Sequence, residues 1–329
     1  MRKRFTVACA GALLVLTGCS GSDDGDTSAE GDDSGSGSGL TEVTIGVMPI
    51  LDVAPLYLGV EQGIYEEHGI DLSFESAQGG AAIVPAVVSG EYDFGFSNTT
   101  SLMLAQTTGL ELEVVSPGAS STGNPEDDFG AILVPEDSDL ESVEDLEGHS
   151  VAINTLSNIN DTLIRDAVDR AGGDSSAVEF VEIGHADMVA ALESGQVDAI
   201  WEVEPFLTIG RDTGFRDLYS LYAEATPDLT VAVYFTTAAF AEEDPDTVDA
   251  FIEATAEALD YATENPDEAR GVLTDYTEID PEIIPELTLP AFPTEVNLES
   301  VEFVADAGAH YGVFARDEVD LEALFPRAQ

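Results

Sequence analysis

The chain has 329 residues, 44% of them hydrophobic, and a net charge of −56 from 66 acidic against 10 basic residues. The length allows two domains, or two lobes of one, around a sizeable core. The charge excludes nucleic acid as a partner, because phosphate contacts need Lys and Arg, and beyond Arg4 only seven Arg and no Lys remain. Such a surface is either soluble and self-repelling, or adapted to a salty exterior where screening makes the charge tolerable.

Residues 1–19 read as an address. Arg2-Lys3-Arg4 is a basic n-region and "FTVACAGALLVL" an apolar h-region, shorter than the roughly 20 residues a spanning helix needs. The "LTGC" that follows resembles the bacterial lipoprotein signal, with Cys19 as the lipidated N-terminus. That implies an extracytoplasmic protein, anchored by lipid to the outer face of the cell membrane. Cys9 and Cys19 are the two cysteines. Once the signal is removed, no thiol is left for a disulfide, a nucleophile or a thiolate metal site. Residues 20–39, a Gly/Ser/Asp tract, cannot bury apolar surface and read as a flexible tether.

The folded part starts near Leu40. "EVTIGVMP" is β-branched and apolar and ends at Pro49, which reads as a buried strand. "APLYLGVEQGIYEEHG" reads as one helix stopped at Gly69. "IDLSFESA" is a second strand, "AAIVPAVVSG" a helix closed by Gly90, "YDFGFSN" a third strand, "TTSLMLAQTTG" a helix and "ELEVVSPGA" a strand. A second set opens at "DDFGAILVPED". It runs through a short helix ended by Gly148, the strand "HSVAINTL", the helix "DTLIRDAVDRAGG", the strand "VEFVEIG", the helix "DMVAALESG" and the strand "VDAIWEVEP". "LTVAVYFTTAAF" reads as a return crossing. Helices are expected over 246–263, 266–275 and 297–310, with Pro-initiated starts at "NPDEA" and "DPEII".

The two sets repeat one pattern. "AIVPAVVSGEYDFGF" aligns without a gap on "DMVAALESGQVDAIW" when Ile83 is set against Met188, so that Ser89-Gly90 meets Ser194-Gly195 and Asp93 meets Asp198. Alternating strands and helices with short links predict an α/β protein of two similar lobes, each a mostly parallel sheet flanked by helices. The expected division is 40–129 for the first part of lobe 1, 130–236 for lobe 2, and 237–329 for the return to lobe 1 and the C-terminal helices.

Open α/β sheets bind ligands at the carboxyl ends of their strands. In the first lobe those ends carry Asp52, Gln78-Gly79-Gly80 and Ser97-Asn98-Thr99. In the second they carry Ser157, Asn158, Asn160 and Asp161, then Trp201 and Glu202. Glycines admit close backbone approach, and helix N-termini attract anionic or polar groups. Asn98 and Thr99 read equally as N-caps. Trp201 reads as core or cleft wall, with the wall favoured, and Tyr234 on the crossing strand is a similar candidate with weaker support. Glu204 reads as a structural acceptor beside Pro205. His68, His149, His185 and His310 are dispersed in helix-end or turn contexts and are expected to be solvated. "DSDLESVEDLEG" starts like a calcium loop, but Ser142 stands where Gly is needed and Gly148 where Glu is needed. Neither a phosphate-binding Walker loop nor a Gly-x-Ser-x-Gly elbow occurs. No catalytic residue, metal or cofactor is therefore expected.

"APLYLGVEQGIYEEHGIDLSFESAQGG", "SGEYDFGFSN", "DLESVEDLEGHSVAIN" and "ALESGQVDAIWEVEPFL", in that order, resemble the nitrate/sulfonate/taurine and thiamine-pyrimidine group of solute-binding proteins of ABC importers. "TTAAFAEEDPDTVDAFIEATAEALDYATENPDEA" resembles the helical segment that follows the second lobe in that group. The resemblance implies a periplasmic-binding-protein-like fold of type II, with two lobes joined by two crossing strands and closing on a small solute. It also implies a membrane permease and an ATPase as partners of what is expected to be a monomer. The ligand loops it implies fall on Asp52, Gln78 to Gly80, Ser97 to Thr99 and Ser157 to Asp161. The chain departs from the group at Val203, where an aromatic is usual, and at Asp52-Val53, where thiamine-pyrimidine members carry His, so that ligand is not assigned. An enzyme on this fold, of the pyrimidine-synthase kind, needs a cofactor Lys and an iron-binding Cys segment, neither of which exists beyond Lys3 and Cys19. A surface sensor that feeds no transporter is the third reading. With Asp52, Asp161 and Glu202 at the loops and Arg165 the one nearby Arg, a neutral or amine-bearing solute is expected rather than nitrate.

Overall fold

The computed structural model describes residues 39–327. Cys19 and the expected signal and tether, up to Ser38, lie outside the described residues. Ten strands form two five-stranded sheets: β1 (Thr41–Val47), β2 (Ile70–Ser76), β3 (Phe94–Asn98), β4 (Leu112–Ser120), β5 (Gly130–Pro135), β6 (Ser150–Ile153), β7 (Glu179–Glu182), β8 (Ala199–Val203), β9 (Phe215–Tyr219) and β10 (Thr230–Thr237). The first sheet has the order β2-β1-β3-β10-β4 and the second β7-β6-β8-β5-β9. In the first, β1 lies parallel to β2 and β3, and β10 lies antiparallel to β3 and β4. In the second, β6 lies parallel to β7 and β8, and β5 lies antiparallel to β8 and β9. The two sheets therefore share one topology, and the antiparallel strand of each is the one that has just crossed from the other lobe. The crossings run from β4 to β5 and from β9 to β10.

Two expectations are corrected here. Residues 230–236, assigned from sequence to lobe 2, are paired between β3 and β4 in lobe 1, because β10 needs the ladder bonds that those two strands leave open. Between Phe206 and Tyr219, where the sequence reading places no element, stand the helix Phe206–Thr213 and the strand β9, "FRDLY". Smaller differences have local causes. The first expected helix divides into Ala54–Glu61 and Ile64–Glu67, because Gly63 takes a left-handed φ of 77°. The stretch 266–275 divides into Pro266–Gly271 and Leu273–Tyr276, and "DPEII" opens a short 3-10 turn, Pro281–Glu286. The long helices Pro245–Glu264 and Leu298–His310 fall where the periodicity places them.

Buried aliphatic faces hold each lobe. In lobe 1, Val43, Ile45 and Val47 of β1 are fully buried, and Phe94 stacks on Phe251 of the long helix at 3.9 Å. In lobe 2, Ile200 of β8 packs with Leu133, Ala152, Met188 and Leu207. The repeated Ser-Gly-x-x-Asp sequence does the same work in both lobes. Gly90 and Gly195 end their helices at φ of 74° and 69°, a backbone region cheap only for glycine. Three residues on, Asp93 Oδ2 accepts from Thr44 N at 2.8 Å, and Asp198 Oδ2 accepts from Ser150 N at 2.8 Å. The backbone N–H groups of the same two Asp residues donate to Thr44 O and Ser150 O at 2.9 and 3.1 Å. The two Asp residues thus pin β3 to β1 in lobe 1 and β8 to β6 in lobe 2. A hydrogen bond to a charged acceptor contributes about 1.5–3 kcal/mol. Asp93→Ala should accordingly lower the unfolding free energy by about 2 kcal/mol in urea titrations, and an unchanged midpoint would refute this clasp.

Candidate functional site

The helices Thr99–Thr107 in lobe 1 and Ile159–Ala171 in lobe 2 both begin at the carboxyl ends of strands, β3 and β6. Their first turns are capped by local bonds. Asn98 Oδ1 accepts from Ser101 N at 2.9 Å, and Asn158 Oδ1 accepts from Asn160 N at 2.8 Å. Asp161 completes a capping box, taking Asn158 N at 2.8 Å and Ser157 N at 3.0 Å. Asp161 is thereby occupied with its own helix, and Ser157 is an exposed residue with a left-handed φ of 56°.

Between the lobes lies a cavity of about 30 Å³. Asp52, Phe96 and Asn98 line it from lobe 1, and Asn160, Trp201 and Tyr222 from lobe 2. Asn154, Ile159, His185 and Val203 complete the lobe 2 wall. Trp201 and Tyr222 meet edge to face, with centroids 5.8 Å apart. The amides are held in place: Tyr222 OH donates to Asn160 Oδ1 at 2.9 Å, and Asn160 Nδ2 donates to Asn154 Oδ1 at 3.2 Å. Asp52 Oδ1 and Trp201 Nε1 are buried with no hydrogen-bond partner within the protein. So are Ser97 Oγ, Thr99 Oγ1, Thr100 Oγ1 and Glu202 Oε1 at neighbouring strand and helix ends, and Tyr234 OH. A buried polar atom left unpaired costs about 1–3 kcal/mol. Asp52 and Trp201 set two of these atoms at the cavity wall, where a ligand group would supply the missing partners.

The acid groups here are perturbed. Burial pushes the Asp52 carboxyl up to about 7, opposed in part by its own backbone N–H and by His185, while Asp128 pushes it further up. Glu202 Oε2 lies 2.6 Å from His185 Nδ1, and both side chains are buried. Burial raises the Glu202 carboxyl above the usual carboxylate range, and His185 opposes that rise. The expectation of a solvated His185 is therefore wrong. Its ring also stacks on Phe206, at 5.7 Å and 12°. Glu202 itself does not line the cavity but stands behind His185, whose Nε2 it orients by fixing the other nitrogen.

The remaining candidates are distributed as follows. Gln78 lines the next space outward, which adjoins the cavity at Met48, Ile50 and His185. Gly79 and Gly80 are close-approach positions. A Cβ on Gly79 would stand 2.6 Å from Thr155 Oγ1 of the other lobe, and one on Gly80 would stand 2.1 Å from Ser97 Oγ. Tyr234 is not at the cavity; it packs on Phe96 and Phe251 in the lobe 1 core. Glu204 is an acceptor for Thr208 N, Thr208 Oγ1 and Thr288 N, and its carbonyl accepts from Leu51 N at 3.0 Å across the lobes. Arg165 turns away, donating to Ser175 O at 2.8 Å and lying over Phe180. Among the described residues no Arg lines the cavity. Asn154, His185 and Tyr222 are the polar wall residues that sequence reasoning missed. Only Asn154 carried a signal, as a polar residue directly after β6.

A family model described as NMT1/THI5 like matches residues 51–269. The formylaminopyrimidine-binding protein of Halalkalibacterium halodurans is 25% identical over 224 residues, 66% of this chain and 64% of that protein. The taurine-binding periplasmic protein of Escherichia coli is 26% identical over 204 residues, 61% of each chain. The chain thus spans a little under two thirds of the length of these curated relatives. In fold it matches the crystal structure of the periplasmic aliphatic sulphonate binding protein SsuA of Escherichia coli, with a TM-score of 0.71, 20% identity, and coverage of 87% of this chain and 98% of that one.

Proposed function

The chain belongs to the NMT1/THI5-like family, and from this premise we propose that it is the solute-binding component of an ABC importer. It captures a small organic solute between its lobes outside the cytoplasm and delivers it to a membrane permease powered by an ATPase. The lipoprotein-like signal ending at Cys19 supports tethering at the outer face of the cell membrane. The observation that carries the reading is the inter-lobe cavity, whose walls present buried polar atoms without protein partners. The same walls favour binding over chemistry: the one His beside the cavity is held by Glu202, and the chain has no Lys beyond Lys3.

The donor and acceptor inventory narrows the solute. Asp52 Oδ1 is an acceptor and Trp201 Nε1 a donor, with Asn154 and Asn160 beside them. With a carboxylate present and no Arg at the wall, a small inorganic anion such as nitrate is disfavoured. A neutral or amine-bearing organic molecule suits the site better. A panel of such solutes, with nitrate, taurine and an alkanesulfonate alongside, tests the reading by thermal unfolding. The right solute should stabilise the protein by about 2.7 kcal/mol at a hundred times its Kd. A panel without any shift would overturn the reading, and tight nitrate binding would overturn the solute class.

A further inference from the structure

The inter-lobe cavity is too small for a solute of ordinary size. At about 30 Å³ it has room for about two water molecules. It is not isolated, however. Met48, Ile50 and His185 line both this cavity and an adjoining space of about 250 Å³. Pro49, Ala186 and Phe206 line both that space and an outer groove of about 670 Å³. The three form one series from the buried carboxylate to the surface. The outer groove has an apolar floor, with Ile209 from lobe 2 facing Tyr276, Ile279 and Ile283 from the C-terminal part of the chain. Its exposed charged residues, Asp212, Glu278 and Asp280, are all acidic.

We propose that the solute is amphiphilic, with its polar head against Asp52 and Trp201 and an apolar tail running past His185 and Phe206 into the groove over Ile209 and Ile283. This rests on the solute-binding reading and deepens it. A compact solute held at Asp52 would leave the half-buried apolar side chains of the groove uncovered. The acidic rim excludes an anionic tail and admits a neutral or cationic one. His185 and Phe206, stacked on one another, form the wall at which head and tail sites meet.

Two matched series from butyl to decyl test the proposal, the 1-alkanols and the n-alkylamines, by calorimetry in molar salt to screen the acidic surface. Affinity in both series should rise about fourfold per methylene while the tail fills the groove, the gain for burying one CH₂. Ile283→Asp should flatten that rise, and so should Ile209→Asp on the opposite wall, which guards against a folding defect in either variant alone. Amines should bind more tightly than the alkanols of equal length, and Asp52→Asn should remove that difference without flattening the rise. A flat series in the native protein, or a rise that survives both groove variants, would overturn the tail site. Failure of the solute-binding reading has a separate signature: the rise is present and depends on the groove, yet no solute of the wider panel stabilises the protein.

Discussion

Asp52→Asn should make the solute-free protein more stable at about pH 8, by up to about 4 kcal/mol, and equally stable at about pH 4. Asp52 is 2% exposed and its Oδ1 has no partner. Burial lifts its pKa from 3.8 to about 7. An acid whose folded pKa is raised binds more protons folded than unfolded between those values, so its ionisation destabilises the fold as pH rises through that window. The gap of about three units converts to about 4 kcal/mol, reached above pH 7 and absent below pH 4. An amide cannot ionise, so the variant escapes that loss. The groups facing Asp52 are His185, Asp128 and the phenols of Tyr222, Tyr234 and Tyr276. Of these, only His185 favours the charged form. Urea midpoints at the two pH values measure the effect. A variant no more stable than the native protein at about pH 8 would show that the carboxylate is not held at a cost. Solute affinity should fall in the same variant, because the acceptor that destabilises the free protein is the one a donor-bearing solute pairs with.

The scaffold was legible in the sequence because its determinants are local. Buried strands such as β1 are continuous apolar runs, and the glycines at positions 90 and 195 announce helix ends by their spacing. The same locality explains why Asn98, Asn158 and Asp161 turned out to serve their helices: a cap is decided within four residues, whatever the ligand. What the sequence hid is set by distant pairing. β9 was missed because "FRDLY" lacks a β-branched run and is a strand only through its ladder with β5. β10 read as a strand, but its lobe is fixed by partners more than a hundred residues earlier. Tyr234 lies away from the cavity for a further reason. Register shifts near the start of β10 break the simple alternation, so Val231 and Ala232 both reach the cavity while Tyr234 faces the core. His185 reads as a solvated helix start, but Glu202, Phe206 and Trp201, brought beside it by the fold, bury it.

Adjacent glycines at the start of one helix should give opposite phenotypes, and this separates folding from closure. Gly80→Ala sets a Cβ 2.1 Å from Ser97 Oγ within lobe 1. Ser97 is fully buried, so the clash has no outlet, and the variant should lose about 1–3 kcal/mol of stability, as overpacked cores do. Gly79 has a φ of 178°, extended backbone that any residue adopts, so a side chain there strains nothing in its own lobe. Its Cβ meets Thr155 Oγ1 of the other lobe at 2.6 Å, and only when the lobes are together. The hydroxyl of Thr155 can turn away from one methyl group, whereas the two extra methyls of valine cannot be cleared by that rotation. Parting the lobes relieves that clash, so Gly79→Val should cost less solute-free stability than Gly80→Ala, about 1 kcal/mol or less. It should also weaken solute binding at least about tenfold, which corresponds to about 1.4 kcal/mol of strain confined to the closed form. Small-angle scattering gives the independent readout: with a stabilising solute present, Gly79→Val should remain more expanded than the native protein. Contraction of the variant at native affinity would mean that the lobes close on the solute without bringing Gly79 against Thr155.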